Sequence, residues 1–313
     1  MGKGLKATAA VFVAPVVTAA RAVYFCFPGF LLDCVKKAIR WEAGLSRHTI
    51  EVDDHRWVYL EGGKGETILL LHGFGMEKDG WGLFPRAFSR SYRVILPDLP
   101  GFGENSRLES SNYDVSSQVK RLNRFLESLK LDSFHLAGSS MGGYIAGYYA
   151  SEYPQKVKSV ALFNPAGVNS PVPSDLWRRY MEKGENALVY KTREGFEDIL
   201  RLLFYRVPPV PGAFKAYFAK LGALHHAFYK KALRDLENGG IDKLEARLSR
   251  VEARTLVIWG ANDRILHVSG AEIFKRGLRD GKVVILDQCG HAPFFEKREE
   301  TAKIYRDFLA SRK

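Results

Sequence analysis

The chain carries few residues that could cross-link it. Its 313 residues include only three cysteines, Cys26, Cys34 and Cys289, whose spacing matches neither a disulfide framework nor a metal-ligand set. No basic run is interleaved with aromatics and no zinc-finger spacing occurs, so nucleic acid is set aside despite a formal net charge of +12. No segment repeats. The apolar run at residues 7–20 has fourteen residues, a helix of about 21 Å, which falls short of a hydrocarbon core of roughly 30 Å. Extending it to residue 32 places Arg21 near the middle and includes Pro15 and Pro28, which makes a poor spanning helix. What is present is 46% hydrophobic and 12% aromatic residues, enough for a substantial core and against disorder.

The positive charge is densest at the N-terminus. Lys3, Lys6, Arg21, Lys36, Lys37, Arg40 and Arg47 stand against Asp33 and Glu42 in the first fifty residues. Leu31, Cys34, Val35, Ala38 and Ile39 recur at helical spacing with Lys36, Lys37 and Arg40 off that stripe. A basic amphipathic helix of this kind suits an anionic membrane surface, and the same pattern also fits a helix packed on the body of the protein. We expect residues 1–45 to form a membrane-associating segment. The alternative is a secretory leader ending near Ala20-Arg21-Ala22, with the protein secreted or periplasmic after cleavage.

From residue 47 the pattern is regular. Two short alternating strands meet at Asp53-Asp54-His55, and six apolar runs follow at 67–73, 92–99, 134–139, 157–165, 254–260 and 282–288. Runs apolar on both faces, alternating with helical patterns such as 115–129 and 140–152, predict a mostly parallel twisted sheet covered by helices on both sides. Its site belongs at the carboxyl ends of the strands. Residues 170–250 interrupt the alternation with several Pro- and Gly-punctuated helices, which predicts a cap inserted into a core of 46–169 and 251–313. Within it Leu200, Leu202, Leu203, Phe204, Phe214, Tyr217 and Phe218 fit either the wall of an alkyl tunnel or the cap's own small core.

Gly138-Ser139-Ser140-Met141-Gly142 matches G-x-S-x-G between a strand and a helix, the context of a nucleophile elbow. The sharp turn exposes the Ser140 hydroxyl and aims a helix N-terminus at it. A serine nucleophile needs a base, and the base an orienting acid. Asp263 in WGANDRI and His291 in CGHAPFF follow successive strands, in the order this fold requires. Asn164 occupies the rival acid position and cannot act as a carboxylate. The oxyanion donors are expected at the backbone N–H of Met141 and of Phe74 in His72-Gly73-Phe74-Gly75, with His72 orienting that loop and Asp98 stabilising another. No pairing among the other histidines suggests metal, and no cofactor or obligate protein partner is implied.

These elements resemble the α/β-hydrolase superfamily over residues 47–312. The stretches HGFGMEKDGW, QVKRLNRFLESLKLDSFHLAGSSMGG, NPAGV, IWGANDRILHVSGAEI and CGHAPFFEKREETAKIYRDFLAS resemble more closely the membrane-associated monoacylglycerol lipases of the α/β-hydrolase domain-containing protein six group and related small bacterial lipases. The resemblance implies a serine hydrolase of lipid esters at a membrane surface, with Ser140, Asp263 and His291 as triad and Phe74 and Met141 as oxyanion hole. A carbon–carbon bond hydrolase of ring-cleavage products uses a similar elbow and stays open as an alternative. So does a non-catalytic ligand-binding homologue.

Overall fold

Successive side chains along a strand point to opposite faces, and this alternation builds two cores from one sheet. In β3 (Thr67–Leu71), Leu69 and Leu71 enter one hydrophobic cluster and Ile68 and Leu70 the other. The computed structural model describes residues 27–184 and 186–311, so the 7–20 run, its leader alternative and Cys26 lie outside the described residues. Eight strands form one sheet: β1 (Leu45–Val52), β2 (His55–Gly62), β3, β4 (Arg93–Pro97), β5 (Phe134–Ser139), β6 (Val157–Phe163), β7 (Thr255–Gly260) and β8 (Gly281–Leu286). The order is β1-β2-β4-β3-β5-β6-β7-β8, with β2 antiparallel to both neighbours and every pairing from β4 to β8 parallel. The β1–β2 turn holds Asp53 at φ 53°, as the Asp-Asp pair predicts.

Helix α1 (Pro28–Glu42) forms where the periodicity predicts it, but with an unexpected orientation. Lys36 and Arg40 face the protein, pairing with Glu77 at 2.5 Å and with Asp79 through two bonds of 2.6 and 2.7 Å. Phe27, Phe30, Cys34 and Trp41 lie on the opposite, solvent face, with Trp41 84% exposed. The charges rather than the apolar stripe dock this helix, because their carboxylate partners sit on the loop after β3.

On one face of the sheet lie α2 (Val115–Ser128) and α3 (Met141–Glu152), whose Leu122, Phe125, Tyr144 and Ile145 are buried against the strands. Asp114 caps α2 by accepting the Ser117 N–H, a contact of about 1 kcal/mol. Between β6 and β7 come three inserted helices, α4 (Asp175–Lys183), α5 (Arg193–Leu203) and α6 (Gly212–Asn238). Helix α7 (Gly270–Gly277) precedes β8, and the short α8 (Pro293–Glu296) leads into α9 (Arg298–Ala310). Tyr305 and Phe308 of α9 join the second core cluster with Phe84 and Phe163.

Candidate active site

Ser140 sits between β5 and α3 with φ 55° and ψ −119°, a backbone conformation that non-glycine residues rarely adopt, at a cost of about 1–3 kcal/mol. Its N–H bonds Phe163 O, and its carbonyl accepts the N–H groups of Tyr144 and Ala166, so β6 and α3 together hold the strained turn. The flanking glycines follow from contact distances. A Cβ on Gly138 would lie 2.1 Å from Gly142 O, and one on Gly142 would lie 2.2 Å from Leu71 O. Met141 opens α3, where first-turn N–H groups have no helical acceptor.

The loop after β3 brings Phe74 to the same place. His72, fully buried, accepts the Leu99 N–H at Nε2 (2.9 Å) and places Nδ1 2.8 Å from Gly73 O. Burial holds its pKa below the ordinary value, consistent with a neutral ring braced between two loops. Asp98 accepts the Lys78 and Glu104 N–H groups and the Lys78 ammonium at 2.9 Å. Burial disfavours the Lys78 charge, yet Asp98, Glu104 and Asp79 outweigh it and raise its pKa. Phe74 packs edge-on against Phe102 and against Tyr229 of α6.

Asp263 and His291 come together at the ends of β7 and β8. His291 Nδ1 lies 2.8 Å from Asp263 Oδ2. Asp263 Oδ1 accepts the N–H groups of Ile265 and Leu266. Oδ2 also accepts Asn164 Nδ2 at 2.5 Å, so a fully buried carboxylate is satisfied on both oxygens. The His291 N–H donates to Leu203 O of α5 at 2.7 Å, and Glu296 accepts the N–H of Gly290 and of Tyr205. Gly260 lets this loop approach, since a Cβ there would lie 2.0 Å from Gly290 O.

Ser140, Met141 and Phe74 line one cavity of about 340 Å³, walled by Leu176, Trp177, Leu188, Leu233, Leu236 and Ile265. Among the described residues no hydrogen bond joins Ser140 Oγ to His291, whose Nδ1 is turned to Asp263; nucleophile–base bonds of this kind often tighten only in the substrate complex. Of the insertion residues picked out above, Leu200 and Leu202 form the insertion's own cluster with Leu176 and Phe196, and Leu203, Phe204 and Phe218 pack against it. None of them lines the Ser140 cavity, which favours the cap-core reading over the tunnel. Asn164 was visible in the sequence only as a position without a carboxylate. Its bond to Asp263 spans 99 residues and has no local signal.

A mostly parallel sheet with a strained serine at a strand-to-helix turn and an Asp–His pair two and three strands further along defines the α/β hydrolases. The chain belongs to this family, whose model for the alpha/beta hydrolase fold matches residues 66–298. Monoacylglycerol lipase ABHD6 of Mus musculus is 31% identical over 302 residues, covering 93% of this chain and 90% of that protein. Lipase 1 of Psychrobacter immobilis is 32% identical over 285 residues, covering 88% and 89%. The crystal structure of a membrane phospholipase A, a bacterial virulence factor, is 40% identical with a TM-score of 0.87, covering 97% and 98%. A meta-cleavage product hydrolase of Pseudomonas fluorescens, 23% identical with a TM-score of 0.73 over 84% of this chain and 97% of its own, shares the fold alone. The chain is a hydrolase related to lipases.

Proposed function

We propose that the chain cleaves carboxylic esters of lipids through an acyl-serine intermediate, with the inserted helices acting as a cap over the site. One observation carries this reading: the strained Ser140, beside Met141 and Phe74, opens on an apolar cavity at the strand ends where the buried Asp263–His291 pair also lies. Asp263 holds Nδ1–H of His291, which leaves Nε2 as the base that takes the Ser140 proton as Oγ attacks the ester carbonyl. The N–H groups of Met141 and Phe74 receive the developing oxyanion, and the same histidine then protonates the departing alcohol. Water, deprotonated in turn by His291, releases the fatty acid. An alkyl chain suits the wall of leucines; a ring-cleavage dienoate has less use for it.

Membrane association belongs to the same reading. Among the described residues no helix is long and apolar enough to cross a membrane. The outward face of α1, with Phe27, Phe30 and Trp41 exposed, suits insertion into an interface. The lipases and the membrane phospholipase among the relatives support both parts. The test is a panel of monoacylglycerols, acyl esters and phospholipids beside a ring-cleavage dienoate. Turnover of lipid esters is expected, and turnover of the dienoate alone would overturn the reading. Flotation with anionic vesicles tests the docking face: Phe30→Glu with Trp41→Glu is expected to release the protein, and unchanged flotation would remove α1 from the account.

A further inference from the structure

A second cavity of about 600 Å³ abuts the Ser140 cavity, and Tyr180, Asn186, Leu233 and Glu237 belong to the walls of both. Its chemistry is opposite to that of its neighbour. Arg179 and Lys183 stand one turn apart on α4, and His226, Lys230 and Arg234 recur at i, i+4 and i+8 on α6, so each helix turns a row of basic groups into the cavity. Lys191 adds another from the approach to α5. Like charges at this spacing repel one another and do not favour the fold by themselves.

Glu194, Asp198 and Glu237 also line the cavity and offset part of this row. Asp198 is taken by Arg179 and Arg201, and Glu237 is bonded by Asn186 and lies beside Arg234. Lys183, Lys191 and Lys230, also in the lining, form no ion pair among the described residues. A strip of unpaired ammonium groups beside an apolar catalytic cavity is a demand for an anion. Its place decides which anion. In a glycerophospholipid the phosphate is attached to the same glycerol that bears the acyl esters, so an anion site must abut the acyl site and share a wall with it.

We infer that this cavity is the subsite for the phosphate of an anionic lipid head group, held by Lys183, Lys230 and Arg234 while the acyl ester lies over Ser140. This rests on the lipid-ester reading of the Ser140 site. A neutral monoacylglycerol draws nothing from the subsite, so the residues set a preference among lipids and leave the chemistry alone.

The test is carried out on the full chain, with each substrate dilute in micelles of one zwitterionic detergent so that surface charge stays constant. kcat/KM is measured for a phosphatidylglycerol and for a monoacylglycerol of the same acyl chain. In the double variant Lys183→Glu/Lys230→Glu the ratio of anionic to neutral turnover is expected to fall about tenfold or more. Lys64→Glu/Lys275→Glu, an equal change of net charge at exposed positions outside the insertion, is expected to leave the ratio within about twofold. Inorganic phosphate should raise KM for the anionic lipid in the parent and not in the first variant. An unchanged ratio with neutral turnover intact, or an equal fall in both variants, overturns the subsite. Competition by inorganic phosphate with no change of ratio would make it a site for free anions and also overturn the proposal. Failure of the parent chain on both lipids would instead remove the lipid-ester reading beneath it.

Discussion

The carboxyl end of the sheet and the helical insertion are held by different means. At the sheet end, Ser140, Asp263 and His291 are each tied to at least two other elements, and Asp263 alone accepts four hydrogen bonds. The insertion has a cluster of six buried residues, one of them Ile265 from the Asp263 loop, and leaves Met181, Leu224 and Trp177 at half exposure or more. Helix α6 joins the main core through Phe228, Ala232 and Leu236, whereas α4 and α5 reach it through backbone contacts such as Leu203 O under the His291 N–H and the Leu176 N–H on Arg264 O. Proton transfer and oxyanion binding depend on sub-ångström geometry, which a buried, fully bonded network supplies. Under the proposed lipid-ester activity, choice of substrate depends on shape and charge, which the outer helices α4 and α5, less deeply tied to the core than α6, can present and vary.

If this contrast holds, substitutions at the sheet end act on kcat, and those in the insertion act on selectivity. Ser140→Ala should lower kcat by about 10⁴–10⁶ with binding largely kept; near-normal turnover of a soluble ester would refute the assignment. Asp263→Asn, which favours the wrong His291 tautomer, is expected to cost about 10⁴ in kcat. Asn164→Ala removes a donor from the same carboxylate without touching substrate, and a fall of about tenfold to a hundredfold in kcat at little-changed KM is expected. A change confined to KM would show that Asn164 does not act through Asp263.

The next effect is on stability. Lys78→Met leaves the buried Asp98 without its cation and should destabilise by about 3–5 kcal/mol in chemical denaturation. Lys183→Ala, exposed on the insertion, should stay within about 0.5 kcal/mol. A similar cost for both would erase the contrast. The smallest effect is one of pH. Glu104 is partly desolvated, but Arg47 and Lys78 hold its pKa down at about 2, from an ordinary 4.5. A depressed carboxylate adds stability above its ordinary pKa, and that stability is lost as pH falls from 4.5 towards 2. Glu104→Gln should flatten this limb of the stability profile.

Legibility differed between the two regions for the same reason. Ser140, Met141 and Phe74 stand in short motifs next to strands, and Asp263 and His291 at strand ends in a known order, so local pattern was enough to single them out as candidates. Asn164, the wall of Leu176, Trp177, Leu188 and Leu233, and the basic rows facing across the insertion were not found that way. Helical spacing says which residues share a face and is silent on what that face meets. Helix α1 is the sharpest case: its presence followed from periodicity, but most of its apolar stripe (Cys34, Val35 and Ala38) points outward because Lys36 and Arg40 meet Glu77 and Asp79.

The amino-acid sequence alone determined the strands, the turn that strains Ser140 and the order of the candidate reacting groups, since each depends on neighbours a few residues away. Only the tertiary structure decided the cavity beside Ser140, the donor behind Asp263 and the direction in which the charged and apolar faces of α1, α4 and α6 look. Those depend on partners tens of residues distant, and no local propensity records where such partners come to rest.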